Sequence, residues 1–247
     1  MGSPFKKFRI DYLLFALSAG FVLLLVLVIS FTSYQYSSRE LASNTSRYQR
    51  ALLEEINKQL NILFDNIEQI SLTVSGNIDL NEIMEPEASE FLEYQKKRSL
   101  LEYLAQFTFS SPSLQLIELY IPQPSGYYGL EEFADLLQQQ ELLEKPWYPM
   151  IKENDSAWIG QHTMVTPRGN EEVISFARKL YSNSRQYQGT LVIHIKAAAI
   201  KQILKGQADR GDVNRVLLDS GNRRVTMVGG LSEDIELESY LTKIEGS

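Results

Sequence analysis

The chain is 247 residues long and 44% hydrophobic, enough to bury a substantial core in one or two domains of ordinary size. Its 31 acidic residues against 24 basic ones leave a formal net charge of -7, which gives no basic footprint for a phosphate backbone and argues against nucleic acid as a partner. With no cysteine, a disulfide framework and a thiolate metal site are excluded.

At the amino terminus Lys6, Lys7 and Arg9 precede an apolar run from Tyr12 to Phe31, interrupted only by Ser18, Ala19, Gly20 and Ser30. About 20 such residues, each rising ~1.5 Å, match a hydrocarbon core of roughly 30 Å, so 12–31 reads as a transmembrane helix. The basic flank, residues 1–11, is expected to stay cytoplasmic and the remainder to face outward. A cleaved signal peptide would use the small residues at 18–20. The strongest apolar stretch, Phe21 to Ile29, lies beyond them, which favours an uncleaved anchor in the cell membrane. No second span follows in the sequence.

From Ser33 to Ser75 there is neither proline nor glycine. Tyr48, Leu52, Ile56, Leu60, Leu63, Ile67, Ile70 and Val74 recur at steps of three and four, so 32–76 predicts one long amphipathic extracellular helix of roughly 60 Å. Its lower part can pair with a second subunit and its upper part can pack on a sheet, so a homodimer is expected. Gly76-Asn77 breaks the helix. Pro86 opens a second helix, carried by Phe91, Tyr94, Leu101 and Leu104 to about Phe109 and ended by Ser110-Ser111-Pro112. Leu114 to Ile121 is a short, almost continuous apolar run closed by Pro122, which predicts a buried strand, and Leu130 to Glu144 predicts a helix.

After Pro146 the pattern turns to β. Ala157–Val165 and Glu172–Leu180 flank a Pro167-Arg168-Gly169-Asn170 turn and predict a hairpin; after Ser182-Asn183-Ser184 a further strand spans Thr190–Ile195. Ala197–Lys205 reads as a helix stopped by Gly206. Polar Gln207–Asp212 marks a boundary between lobes. Beyond it Arg215–Asp219 and Arg224–Val228 predict a second hairpin around Ser220-Gly221-Asn222, followed by a helix capped by Ser232. Two strands and a helix are too few for an independent core, so 207–247 is expected to be part of a second lobe. The fold class is therefore α+β.

This order of elements resembles the double Cache ectodomains of bacterial membrane receptors. Lys145-Pro146-Trp147-Tyr148 before the hairpin, Trp158-Ile159-Gly160 opening it and Val173-Ile174-Ser175-Phe176-Ala177-Arg178 on its return carry the resemblance. Gly189-Thr190-Leu191-Val192-Ile193-His194-Ile195 is similar to the last strand of a distal lobe, and Val216-Leu217-Leu218-Asp219-Ser220-Gly221-Asn222 to the opening of a proximal one. The resemblance covers about 12–247 and is closest to sensor histidine kinases of Gram-positive bacteria; membrane-anchored AraC-type regulators have similar ectodomains. It implies an antiparallel sheet backed by the long helix, a ligand pocket in a membrane-distal lobe at 77–206, a membrane-proximal lobe beginning at 207, and signal passed down the helix to a cytoplasmic output.

Trp147, Tyr148 and Trp158 flank the mouth of the hairpin, where aromatic faces can stack on a sugar or another small organic ligand; packing between helix and sheet is the competing role. Arg178, among apolar neighbours, can fork onto a carboxylate ligand or make a structural ion pair. Tyr120 ends the first strand and is a weaker candidate. His162 has no nearby cluster of metal-ligating residues and reads as a surface or satisfied histidine, and His194 shares a strand face with Val192 and Lys196, a structural position. Both lie in extracellular strands, so neither serves as a phosphoacceptor, and there is no glycine-rich nucleotide site. An aspartate of the kind that marks the amine-binding Cache subgroup is not evident. No Gly-x-Ser-x-Gly or His-Glu-x-x-His string supports an anchored hydrolase, the rival reading. No catalytic residue, cofactor or metal is expected; the expected partners are a small-molecule ligand, membrane lipid and a second copy of the chain.

Overall fold

The computed structural model describes residues 10–77, 80, 89–122, 128–130, 133–166, 169–182, 184–206, 214–219 and 223–229. The chain divides into two compact units, Met1–Glu55 and Ile56–Ser247. Helix α1 (Ile10–Asn77) supplies every described residue of the first unit and opens the second. In the first unit its apolar stretch, with a mean hydropathy of 2.8, is long and apolar enough to cross a membrane, and its side chains from Leu14 to Phe31 are exposed.

In the second unit the expected apolar stripe is buried at Ile56, Leu60, Ile67, Ile70 and Val74. Helix α2 (Glu90–Ser110) starts where the Ser89 hydroxyl accepts the Leu92 N–H, and it buries Leu100, Leu101 and Leu104. Phe91 and Tyr94, assigned to the same stripe from spacing, are exposed. The sheet runs β2 (Tyr128–Leu130), β3 (Ala134–Gln138), β1 (Leu114–Ile121), β6 (Tyr187–Lys196), β5 (Gly169–Tyr181), β4 (Ser156–Thr166). All neighbours are antiparallel except β1 and β3. β1 and β6 lie in the middle and are buried on both faces, which explains their nearly unbroken apolar runs.

The helix expected over Leu130–Glu144 is corrected. Ala134–Gln138 pairs in parallel with Ile117–Ile121, and only α3 (Gln139–Leu143) is helical. Ala134 and Leu136 are spaced for one face of a strand and Ala134 and Leu137 for one face of a helix, and pairing beside β1 decides between them. A one-turn helix, α4 (Tyr148–Lys152), leads into β4. Helix α5 (Ala197–Lys205) ends at Gly206, whose φ of 68° reverses the chain. β7 (Arg215–Leu218) and β8 (Arg224–Val228) form the second hairpin. The helix expected after Ser232, the Pro86 start, the 207–212 boundary and the 220–222 turn lie outside the described residues.

Candidate sensory pocket

Strand alternation and register decide which side chains meet. Glu118 and Tyr120 of β1, Val192 and His194 of β6, and Val173, Ser175 and Ala177 of β5 fall on one face, with Glu118 opposite Val192 and Ser175 opposite His194. In β4 an extra residue between Ile159 and His162 forms a bulge, so Ala157, Ile159, His162 and Met164 all join that face. The α3–α4 segment covers part of it, where Leu142, Trp147 and Ile151 pack with Tyr120, Ile159, Ala177 and Val192. The other face meets α1. The Trp158 ring lies 4.5 Å from that of Phe64, its indole N–H donates to Glu68 at 3.1 Å, and Arg178 Nε donates to Ser71 at 2.8 Å.

A cavity of about 690 Å³ opens on the first face between the Lys145–Trp147 segment and β4, with Asp219, Arg223 and Arg224 of the second hairpin on its wall. Glu118 and His194 reach it from the middle strands and are only 6% and 2% exposed. Buried charge of this kind persists only where partners hold it. Tyr120 donates its phenol to Glu118 Oε2 at 2.6 Å, and His194 Nε2 lies 2.9 Å from the same oxygen, close enough for an ion pair although poorly aligned as a hydrogen bond. Ser175 Oγ is 2.6 Å from His194 Nδ1 and 3.4 Å from His162 Nε2, while His162 Nδ1 is 2.9 Å from the Gly160 carbonyl. The chain's two histidines, 32 positions apart in sequence, thus stand with ring centres 6.1 Å apart, joined through one serine.

Burial pushes the Glu118 carboxyl up, but the charge and contact of His194, the Lys145 ammonium and the Tyr120 phenol outweigh it and hold it at about 2. Burial and the adjacent Glu118 charge push the Tyr120 phenol up, so it stays a donor. His162 is pulled below the ordinary histidine value, first by burial, although its bond to Gly160 opposes this. Among the described residues the Lys145 ammonium has no hydrogen-bond or ion-pair partner, and no group of three His, Cys, Asp or Glu side chains is placed to hold a metal ion.

The five residues singled out from sequence do not converge. Trp147 and Trp158 line the cavity, but the polar edge of Trp158 is held by Glu68 on α1. Tyr148 packs against the apolar cluster, Tyr120 is fully buried, and Arg178 is turned to α1. Lys145, Glu118 and Ser175 were not recognised as site residues. Glu118 had a signal: it is the one charged residue inside the apolar run Leu114–Ile121.

No protein-family model matches the chain, and no curated protein matches it in sequence. Solved structures do. The ligand-binding domain of the Campylobacter jejuni chemoreceptor Tlp3, in complex with L-norvaline, aligns over 82% of this chain and 78% of its own at 15% identity and a TM-score of 0.53. A domain of a Vibrio parahaemolyticus protein described as of the sensory box/GGDEF family aligns over 80% and 78% at 13% identity and a TM-score of 0.55. The extracellular domain of a protein described as a histidine kinase, vpHK1S-Z8, aligns over 65% and 62% at 16% identity and a TM-score of 0.50. The fold is that of Cache-type sensor domains. In this Cache-type sheet, β4 carries the cavity on one face and the Trp158 contact with α1 on the other.

Proposed function

We propose that this chain is the ligand-sensing input region of a bacterial transmembrane receptor, with residues 1–11 cytoplasmic, 12–31 spanning the membrane and the remainder outside. Residues 77–206 form the membrane-distal lobe, 207–247 belong to a proximal one, and the long helix at 32–76 pairs with a second copy. The output is a histidine kinase, the activity named for one structural neighbour; an AraC-type regulator would use the same input. The chain itself binds and does not catalyse.

The observation that carries this reading is the Lys145 ammonium, which lines the cavity with Trp147, acts on Glu118 through its charge and, among the described residues, has no hydrogen-bond or ion-pair partner. A cation with donors to spare next to an aromatic face suits a small organic carboxylate, with Lys145 on the acid and Trp147 against the apolar part. L-Norvaline, the molecule in complex with the Tlp3 domain, belongs to that class. Trp158 and Arg178 then serve as couplers: ligand held against β4 shifts the strand that Trp158 and Arg178 tie to Glu68 and Ser71 of α1.

The test is thermal unfolding of the full chain in nanodiscs against L-valine, L-norvaline, pyruvate, benzoate and glucose. A ligand at about a hundred times its dissociation constant adds roughly 2.7 kcal/mol. A carboxylate shift abolished by Lys145→Met and Trp147→Ala supports the reading. A glucose shift untouched by Lys145→Met moves the ligand class to sugars. No shift in the panel, with the protein folded, removes carboxylate sensing at Lys145.

A further inference from the structure

The buried groups beneath the cavity do more than fill space, and their proton count can be worked out from heavy-atom positions. His162 Nδ1 faces the Gly160 carbonyl and must carry a proton, so neutral His162 presents a bare Nε2. His194 Nε2 faces a carboxylate oxygen at 2.9 Å, where a bare nitrogen would set lone pair against negative charge, so its proton stays there. The proton that can come and go on His194 is the one on Nδ1, opposite Ser175. When Nδ1 is protonated it donates to Ser175 Oγ, and the serine hydroxyl turns to His162 Nε2. When Nδ1 is bare, the hydroxyl donates to it across 2.6 Å and leaves His162 Nε2 open.

Resting on the reading of this cavity as the ligand site, we propose that Ser175 is a hydroxyl relay by which the charge of buried His194 sets whether pocket-lining His162 is a free hydrogen-bond acceptor. In the acid form Ser175 caps His162 Nε2. In the alkaline form His162 accepts an N–H or O–H from the bound molecule, so hydroxy or amino carboxylates bind more tightly as His194 loses its proton. The relay makes the site selective for ligands that carry a donor beside the acid group held by Lys145.

The charges facing the relay come from every element around it. Glu118 and Tyr120 approach His194 from β1, and Lys145 acts on Glu118 from the segment before α4. Glu172 of β5 acts on His162, while Asp135 of β3 and Glu141 of α3 act on Tyr120. Asp219, Arg223 and Arg224 line the same cavity.

The test needs no ligand, because the chain contains two histidines and both belong to the relay. In the full ¹⁵N-labelled chain in nanodiscs, long-range ¹H–¹⁵N spectra report the protonation of all four ring nitrogens as the pH is varied over the range in which the chain stays folded; His162→Asn assigns them. The expected result is a His194 that keeps Nε2–H throughout and gains Nδ1–H on acidification, with the His162 Nε2 resonance responding in step. Ser175→Ala removes that response while His194 still titrates, and Glu118→Gln releases the Nε2 constraint so that both His194 tautomers appear. A His194 whose Nδ1 never changes state in the folded protein, or a His162 response that survives Ser175→Ala, overturns the relay. Should Ser175→Ala not fold, the tautomer mixture in Glu118→Gln decides alone, and a single fixed tautomer there also overturns it. Failure of the ligand panel would leave this titration intact, so the two readings fail separately.

Discussion

Replacing Glu118 by Gln keeps the shape of the side chain, leaves either an amide oxygen or an amide N–H to face His194, and removes the charge. The carboxyl is 6% exposed and held at about 2 from an ordinary value of 4.5. At ~1.4 kcal/mol per pH unit, that displacement is worth about 3 kcal/mol of folding stability. Because the folded value lies below the unfolded one, this contribution is fully present above about pH 4.5 and is lost as the pH falls toward 2. Urea unfolding of the full chain in nanodiscs, followed by the two tryptophans of the second unit, should place Glu118→Gln about 3 kcal/mol below the parent at pH 7. The gap should narrow steadily below pH 4.5. A gap under about 1 kcal/mol at neutral pH, or one that does not change with pH, would show that the His194 contact does not offset the burial of Glu118, and the account of the pocket floor would fail.

Lys145→Met, which keeps the aliphatic stem, should weaken a carboxylate ligand about 10- to 100-fold, the loss of one hydrogen bond to a charged group, measured by calorimetric titration. Gly189→Ala should destabilise by about 1–3 kcal/mol or more in the same urea assay, because the added methyl would sit 2.5 Å from the Tyr120 carbonyl oxygen between adjacent strands. Trp158→Phe keeps the ring against Phe64 but deletes the donor to Glu68. It should cost about 1 kcal/mol in stability and leave ligand affinity unchanged while reducing the ligand-dependent change in α1 read by spin labels.

Periodicity made the long helix, β1, the β4–β5 hairpin, β6 and α5 legible, because each is either strongly periodic or bounded by a turn residue. Ala134–Gln138 was misread for a physical reason: five residues with apolar side chains at 134, 136 and 137 satisfy a helical face as well as a strand face, and the parallel partner that decides between them lies 17 positions away. Less of the candidate site was legible. Trp147, singled out as an aromatic flanking the hairpin, lines the cavity, and so does Trp158. The polar atoms of Trp158 and Arg178 meet α1, which sequence alternation does not foretell, since it tells which residues share a face but not what covers that face. His162 was read as a surface or satisfied histidine and His194 as structural, and nothing in linear spacing brings them together; the hairpin register and the bulge do.

That bulge has a consequence for how relatives of this protein should be compared. In a regular strand Ile159 and His162 would point to opposite sides, and only the additional residue between them restores parity. Deleting one residue at Gly160 or Gln161 would remove the bulge and leave Ile159 and His162 two positions apart, still on the cavity face, whereas keeping both residues in a regular strand would turn His162 and Met164 toward α1. In an alignment, a one-residue gap at this point therefore leaves the two histidines able to meet, while a one-residue gap elsewhere in β4 moves the residues on one side of it to the opposite face of the sheet.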